Sequence, residues 1–296
     1  MAYPTVQPAS LPSTTTVIMV AVAIILISLA LHLFICHRTD LTDLPAVLIL
    51  GSSGAGKTTF ATALERGTAA VTHTSQTPMQ LEIELDTDLD GQTGQAEAEK
   101  TGYQTAKKLF LIDTPGHGKL RQLSLTRYLP ATNLRGIIFL VDGSNLSPDF
   151  TDDKRSDGNL RDCAEYLHDL LLLLQQRQSN RKRSTAKPLS FLIAVNKLDL
   201  FTALPEAGAK VALEREITKI RSSRSRSLRD SGIALDGGDQ DDDAHRWLGN
   251  LGKEAFSFAQ LEGVVQGSIE VIGGWSAREN PKMLAWQKWI LACVTS

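Results

Sequence analysis

A glycine-rich segment near residue 50 has the residue types and spacing that suit binding to phosphate groups. It consists of Gly51, Ser52, Ser53, Gly54, Ala55, Gly56, Lys57, Thr58 and Thr59, and it matches the pattern G-x-x-x-x-G-K-[ST]. Glycines let backbone N–H groups approach phosphate oxygens, a lysine at this position reaches the terminal phosphates, and the following threonine hydroxyl ligates Mg²⁺. An apolar run precedes the segment and a helix-forming stretch follows it, so the phosphates would lie at a helix N-terminus.

A second short segment, Asp113-Thr114-Pro115-Gly116, ends an apolar run. The Asp113 carboxylate could hold Mg²⁺ through water, and the Gly116 N–H could bond a γ-phosphate. Because that bond is lost when the γ-phosphate leaves, the residues that follow would act as a switch. A threonine should complete the Mg²⁺ shell from the segment 71–77, and we predict Thr77, which directly precedes the next strand.

A third segment, Asn196-Lys197-Leu198-Asp199, also ends an apolar run. The Asp199 carboxylate can accept from both N1–H and the 2-amino group of guanine, a donor pair that adenine lacks. We expect the Lys197 stem to lie along the base and Asn196 to brace the loop. After the last predicted strand come Ser276 and Ala277, where a backbone N–H that contacts guanine is expected. The order and placement of these motifs predict GTP with Mg²⁺ as the ligand.

Composition narrows the class of protein. The chain has 296 residues, a formal charge of −2 and three cysteines without metal-like spacing. These features argue against a disulfide framework and favour a reducing compartment. Because no basic face dominates, direct binding of nucleic acid is not expected.

Short apolar runs alternate with helical stretches from residue 44 onward, which predicts an α/β domain with a mostly parallel sheet and helices on both faces. Predicted strands are 46–50, 79–85, 108–112, 136–141, 189–195 and 268–272. Predicted helices start near Thr58 and cover 159–178, 205–221 and 281–293. We assign residues 45–296 to this domain, with loop insertions at 86–106 and 221–250.

An uninterrupted apolar segment, Val17–Cys36, is long enough to cross a bilayer core as a helix. A signal peptide is the main alternative, but no basic region precedes the segment and no small-x-small cleavage site follows it. A buried helix of a soluble protein would normally show a polar face. Arg38 follows the segment, so the C-terminal part should face the cytosol. Residues 1–16 are then a disordered luminal tail and 37–44 a short linker.

Together these motifs resemble those of Ras-superfamily GTPases. The whole arrangement is similar to the family of signal recognition particle receptor β subunits. The shared features are the N-terminal span with its short linker, the sequence D-T-P-G-H followed by Lys119-Leu120-Arg121, the N-K-x-D motif, and an F-x-F-x-Q-L segment at 256–261.

This resemblance implies a Ras-like P-loop GTPase domain held at the endoplasmic reticulum membrane by one helix. It also implies a heterodimer with the receptor α subunit, anchored in a GTP-dependent manner during cotranslational targeting, with the ribosome or translocon as a further contact. A membrane-anchored Arf- or Sar-like GTPase that acts as a hydrolytic timer is the alternative, although those proteins carry amphipathic or lipidated N-termini.

The hydrolytic activity stays open at this point. His117 occupies the position where Ras-like enzymes carry a glutamine that orients water. A neutral imidazole could do the same and make His117 catalytic. Alternatively, His117 packs within the switch, intrinsic hydrolysis is slow, and the domain serves mainly as a GTP-dependent binding module.

Overall fold

The computed structural model describes residues 14–38, 44–86, 106–146, 154–180, 189–230, 255–261, 268–277 and 281–295. The chain divides into two compact units, Met1–Asp43 and Leu44–Ser296. Residues 1–13 of the predicted tail lie outside the described residues. The same holds for residues 39–43 of the predicted linker.

The first unit contains one long helix, α1 (Thr14–Arg38). Its 25 residues span about 37 Å, which exceeds the roughly 30 Å of a bilayer core. Side chains within Thr14–Leu31 are exposed all around the helix, including Ile18, Ile25 and Leu29. By length and composition α1 can cross a membrane, although a signal sequence near an N-terminus has the same properties. The predicted span 17–36 lies within it.

The second unit is built on a six-stranded sheet in the order β2-β3-β1-β4-β5-β6. Its strands are β1 (Ala46–Gly51), β2 (Met79–Asp86), β3 (Ala106–Asp113), β4 (Leu134–Asp142), β5 (Ser190–Asn196) and β6 (Glu270–Gly273). Strands β2 and β3 pair antiparallel, and all other neighbours pair parallel. The predicted α/β class and the mostly parallel sheet are therefore confirmed.

Helices cover both faces of the sheet. They are α2 (Lys57–Arg66), α3 (Gly118–Tyr128), α4 (Lys154–Asn180), α5 (Glu206–Asp230) and α6 (Leu284–Thr295), with 3₁₀ turns at Gly143–Asn145 and Phe258–Leu261. Leu48 points into a core shared with α3, α4 and α5, whereas its neighbours Val47 and Ile49 point into a core shared with α2 and α6. This burial on both sides explains why the central strands are continuous apolar runs.

The main difference from the predicted elements concerns residues 221–230, which the sequence analysis assigned to a loop and which continue α5. The Arg224 guanidinium donates to Asp169 of α4 at 2.6 Å and bonds His168 Nδ1 at 2.9 Å. These contacts between two helices have no local sequence signature. The predicted insertion at 86–106 joins an antiparallel hairpin as expected, but residues 87–105 lie outside the described ones.

Trp286 generates a stability prediction. Its ring is fully buried, packs edge-on against Phe60 at 5.3 Å, and donates from Nε1 to the Ile272 carbonyl at 3.0 Å. We expect Trp286→Ala to lower the free energy of unfolding by about 3–5 kcal/mol, measured by urea denaturation. The control Val211→Ala, at an exposed position, should change it by less than about 0.5 kcal/mol. Equal effects of the two variants would contradict this account.

Candidate functional site

The phosphate-loop motif forms a tight turn between β1 and α2. Gly51, Gly54 and Gly56 have φ angles of 143°, 79° and 90°, which L-residues with side chains rarely adopt. A Cβ atom on Gly56 would lie 2.4 Å from Asn196 Nδ2. Glycine at this position thus lets the loop lie directly against the predicted guanine-binding segment.

Lys57 is the charged group within this loop. Only 6% of its surface is exposed, and its ammonium group donates to the carbonyls of Gly51 at 3.0 Å and Ser52 at 2.8 Å. Burial lowers the pKa of Lys57 to about 8, and the nearby Asp113 carboxylate opposes this shift only in part. An added anion would favour the charged lysine.

Thr58 and Asp113 lie together as predicted for a metal site. The Thr58 hydroxyl donates to Asp113 Oδ2 at 2.7 Å. Asp113 is fully buried, which raises its pKa, and its Oδ1 has no hydrogen-bond partner among the described residues. Hydroxyl and carboxylate oxygens are the donors that Mg²⁺ prefers. The buried, unpartnered carboxylate oxygen therefore fits a Mg²⁺ ion that completes its shell with phosphate and water oxygens.

Ser75 is the other hydroxyl that reaches this pair. Its Oγ lies 2.6 Å from Thr58 Oγ1 and 3.2 Å from Asp113 Oδ2. The predicted switch residue Thr77 lies two positions further along, and its side chain is exposed. The structure thus brings Ser75, which the sequence analysis did not select, to the metal-binding pair. In the sequence, only the hydroxyl of Ser75 and its place in the polar segment 71–77 could have indicated this position.

The switch segment lies against the phosphate loop. Thr114 donates from Oγ1 to the Ile49 carbonyl at 2.7 Å. A Cβ atom on Gly116 would lie 2.5 Å from Lys57 Nζ and 2.7 Å from Ser53 N. The Gly116 backbone therefore lies close to the phosphate loop, and no larger residue fits there.

The predicted base-binding segments converge on the other side of the loop. Asn196 is buried and donates from Nδ2 to the Ala55 carbonyl at 2.9 Å. Ser276, also buried, donates to Asn196 Oδ1 at 3.3 Å. Asp199 is partly exposed and Ala277 is exposed, so both can face a ligand. These bonds make Asn196 the brace of the site, as predicted.

Asp142, at the end of β4, is a site residue that the sequence analysis missed. Its carboxylate pairs with Lys197 Nζ at 2.6 Å and also accepts from Ser144 N and from Asn145 Nδ2. Lys197 has a φ of 63°, an unusual conformation for a residue with a side chain. The ion pair holds the lysine stem in a fixed direction. The sequence did contain one signal for Asp142: it is an acidic residue at the end of a buried strand, as Asp113 is.

An open cavity lies beside the phosphate loop. Its lining includes Ser53, Gly54, Thr59 and the segment 72–75, and Thr59 bonds Thr72 at 2.8 Å between hydroxyls. His117 is exposed and immediately precedes α3. The described residues contain no cluster of three His, Cys, Asp or Glu side chains that could hold a metal by themselves.

Comparison with known proteins gives consistent results. The family model described as signal recognition particle receptor beta subunit matches residues 42–265. The subunit beta of Saccharomyces cerevisiae is 31% identical over 252 residues, which cover 83% of each chain. The Homo sapiens protein is 28% identical over 246 residues, covering 83% of this chain and 74% of its own.

Solved structures agree with these matches. The SRb-GTP/SRX complex from Chaetomium thermophilum is similar with a TM-score of 0.63 and 31% identity, covering 83% of this chain and 98% of that one. SRb-GDP-Mg from the same organism gives a TM-score of 0.55 and 33% identity, with coverage of 83% and 98%. The chain belongs to the signal recognition particle receptor beta subunit family.

Proposed function

We propose that this protein is the membrane-anchored GTP-binding subunit of the signal recognition particle receptor, and that it holds the receptor α subunit at the endoplasmic reticulum in a GTP-dependent manner. The observation that carries the proposal is the convergence of three separate segments on the phosphate loop. Asp113 and Gly116 reach it from the end of β3 and Asn196 from the end of β5, and Ser276 from the loop after β6 supports Asn196.

The phosphate end of GTP is bound by charge and by backbone donors. Lys57 contributes a buried positive charge, and the loop and the N-terminus of α2 contribute N–H groups. A bound Mg²⁺ ion neutralises charge on the terminal phosphates. Thr58 and Asp113 would hold that ion, with Ser75 or Thr77 as the further hydroxyl from the switch.

The guanine end would be bound by Asp199 and Ala277. The Asp199 carboxylate would accept from the guanine N1–H and amino group, and the Ala277 N–H would donate to the guanine carbonyl. Asn196 and the Lys197–Asp142 pair hold this segment next to the phosphate loop. A base without the matching donors leaves the Asp199 carboxylate unpaired, which is costly.

Membrane anchoring rests on α1. Its length and apolar composition suit a single span, and the family to which the chain belongs is associated with the endoplasmic reticulum. With Arg38 on the cytosolic side, residues 1–16 would be luminal and the GTPase domain at 45–296 cytosolic. No small-x-small cleavage site follows the apolar segment in the sequence, which favours a single span over a signal peptide.

The partner is supported by the Chaetomium thermophilum relative, which is described in a complex that contains GTP and SRX. The segments 71–77 and 116–121 are those that would contact a γ-phosphate and its Mg²⁺ ion, so the α subunit should bind there. The ribosome or translocon is a further contact that the resemblance implies.

The extent of GTP hydrolysis separates two modes of action. If His117 packs without orienting water, hydrolysis is slow and the protein is mainly a GTP-dependent binding module. If His117 acts catalytically, the protein is a timer, as in the Arf- and Sar-like alternative. A full transmembrane span, instead of an amphipathic N-terminus, favours the binding module.

The first prediction from the proposed function concerns the nucleotide that co-purifies with the protein. We expect denaturation of the purified chain to release GTP, identified by chromatography, because slow hydrolysis would preserve it. Release of GDP would support the timer if a His117→Ala variant no longer released GDP as its main nucleotide. Release of an adenine nucleotide would contradict the assignment of Asp199.

The second prediction concerns base specificity. Asp199→Asn replaces one acceptor oxygen by a donor, so it should weaken GTP binding at least about a hundredfold and favour xanthosine triphosphate. Equilibrium titration with both nucleotides measures the change. Asp86→Asn, at an exposed position at the end of β2, should leave both affinities unchanged. Unchanged preference in Asp199→Asn would exclude guanine recognition by this residue.

The third prediction concerns pH. Burial lowers the pKa of Lys57 to about 8, and bound phosphates should raise it again. Binding must then take up a proton above pH 8. We expect GTP affinity to stay nearly constant below pH 8 and to fall about tenfold by pH 9, measured by titration calorimetry. A constant affinity from pH 7 to pH 9 would show that Lys57 stays charged without nucleotide.

A further inference from the structure

Arg121 of α3 makes an unusual set of contacts for a residue next to the switch. Its Nε donates to the Gly116 carbonyl at 2.9 Å. Its two terminal nitrogens donate to the two carboxylate oxygens of Asp162 on α4. Only 13% of the Arg121 side chain is exposed. One guanidinium thus joins the switch backbone to a neighbouring helix.

The α4 side of this connection is rigid. The Arg121 guanidinium lies over the Tyr166 ring, 4.5 Å from its centroid. Tyr166 is buried and packs edge-on against Phe139 of β4 at 5.4 Å. Since β4 is a central strand of the sheet, the Tyr166 ring connects the guanidinium to the core of the domain.

Gly116 is therefore held from both sides. On the N-terminal side, the Thr114 hydroxyl bonds the Ile49 carbonyl of β1. On the C-terminal side, Arg121 bonds the Gly116 carbonyl itself. Between these two points the Gly116 backbone lies against Lys57 and Ser53 of the phosphate loop. A residue held in this way loses little conformational freedom when a terminal phosphate binds to its N–H group.

We propose that Arg121 is a positioning residue that ties the Gly116 peptide to Asp162 of α4, and that this tie sets the preference of the site for guanosine triphosphate over diphosphate. The inference rests on the proposed function. It extends that function because it assigns the preference for triphosphate over diphosphate to Arg121 and Asp162. Neither residue contacts the nucleotide in the proposed binding mode.

The reason for selectivity is that only a triphosphate uses the Gly116 N–H. Without the tie, Gly116 must be ordered at the moment of binding, and the entropy cost weakens the triphosphate complex. A diphosphate binds through the phosphate loop, Lys57 and the guanine segment, none of which Arg121 contacts through a hydrogen bond. Loss of the tie should therefore lower the affinity for the triphosphate and leave the affinity for the diphosphate unchanged.

A purely electrostatic role for Arg121 predicts something different. Asp162→Asn removes the carboxylate that anchors Arg121 but leaves the arginine charge in place. If charge alone mattered, the site would become more positive and the triphosphate would bind more tightly. If positioning matters, the triphosphate binds more weakly. The sign of the change in Asp162→Asn distinguishes the two roles.

The test uses the full chain in detergent micelles with Mg²⁺, titrated with a fluorescent non-hydrolysable GTP analogue and with fluorescent GDP. We expect Arg121→Ala to weaken the GTP analogue about tenfold or more and Asp162→Asn to weaken it about threefold to tenfold. GDP affinity should change by less than about twofold, which also shows that each variant is folded.

Two matched controls accompany these variants. Arg127→Ala removes an exposed arginine from the same helix, and Asp169→Asn removes a carboxylate of α4 that pairs with Arg224 instead. Both should bind the two nucleotides like the unmodified protein.

Three results would overturn the proposal: tighter binding of the GTP analogue by Asp162→Asn, equal losses for GTP analogue and GDP, or an Arg121→Ala variant that matches Arg127→Ala. Failure of the unmodified chain to bind either guanine nucleotide would instead refute the proposed function on which the inference rests. If Arg121→Ala does not fold, the Asp162→Asn result alone decides between positioning and charge.

Discussion

The hydrogen bond from Asn196 to the Ala55 carbonyl is the contact on which the candidate site depends, because it joins the phosphate half to the guanine half. It forms only because β1, β4 and β5 are parallel and in register, with Gly51 opposite Leu140 and Asp142 opposite Asn196. Parallel strands end at the same edge of a sheet, so their following loops meet there. The close approach of Gly56 to the Asn196 side chain completes this junction.

The phosphate side of the site contains buried charges that are poorly compensated. Burial lowers the pKa of Lys57 and raises the pKa of Asp113, so each group is shifted towards its neutral form despite their mutual attraction. One Asp113 oxygen has no partner within the described part of the chain. Phosphates and Mg²⁺ supply the missing charges, so nucleotide binding should also stabilise the fold. This explains in physical terms how a domain of this kind couples its structure to its ligand.

The switch connects this site to the rest of the domain. Gly116 contacts the phosphate loop, and Arg121 carries its position to α4. Beyond this point, α4 is joined to α5 through Asp169 and Arg224. The helices behind the switch are thus linked by charged side chains as well as by the apolar core. In the proposed function, a partner that binds the switch would sense the nucleotide through the same peptide.

The sequence by itself determined the strand positions, the α/β class, the apolar helix, and the three motifs with their glycine, lysine, asparagine and aspartate residues. It could do so because phosphate loops and buried strands have local patterns that short-range physics imposes. Only the tertiary structure placed Ser75 beside Thr58, Asp142 beside Lys197, and Arg121 beside Asp162, and extended α5 through residues 221–230. Asp142 and Lys197 are 55 residues apart, and Arg121 and Asp162 are 41 apart. Pairs at such distances follow from strand order and helix packing, which no local pattern contains.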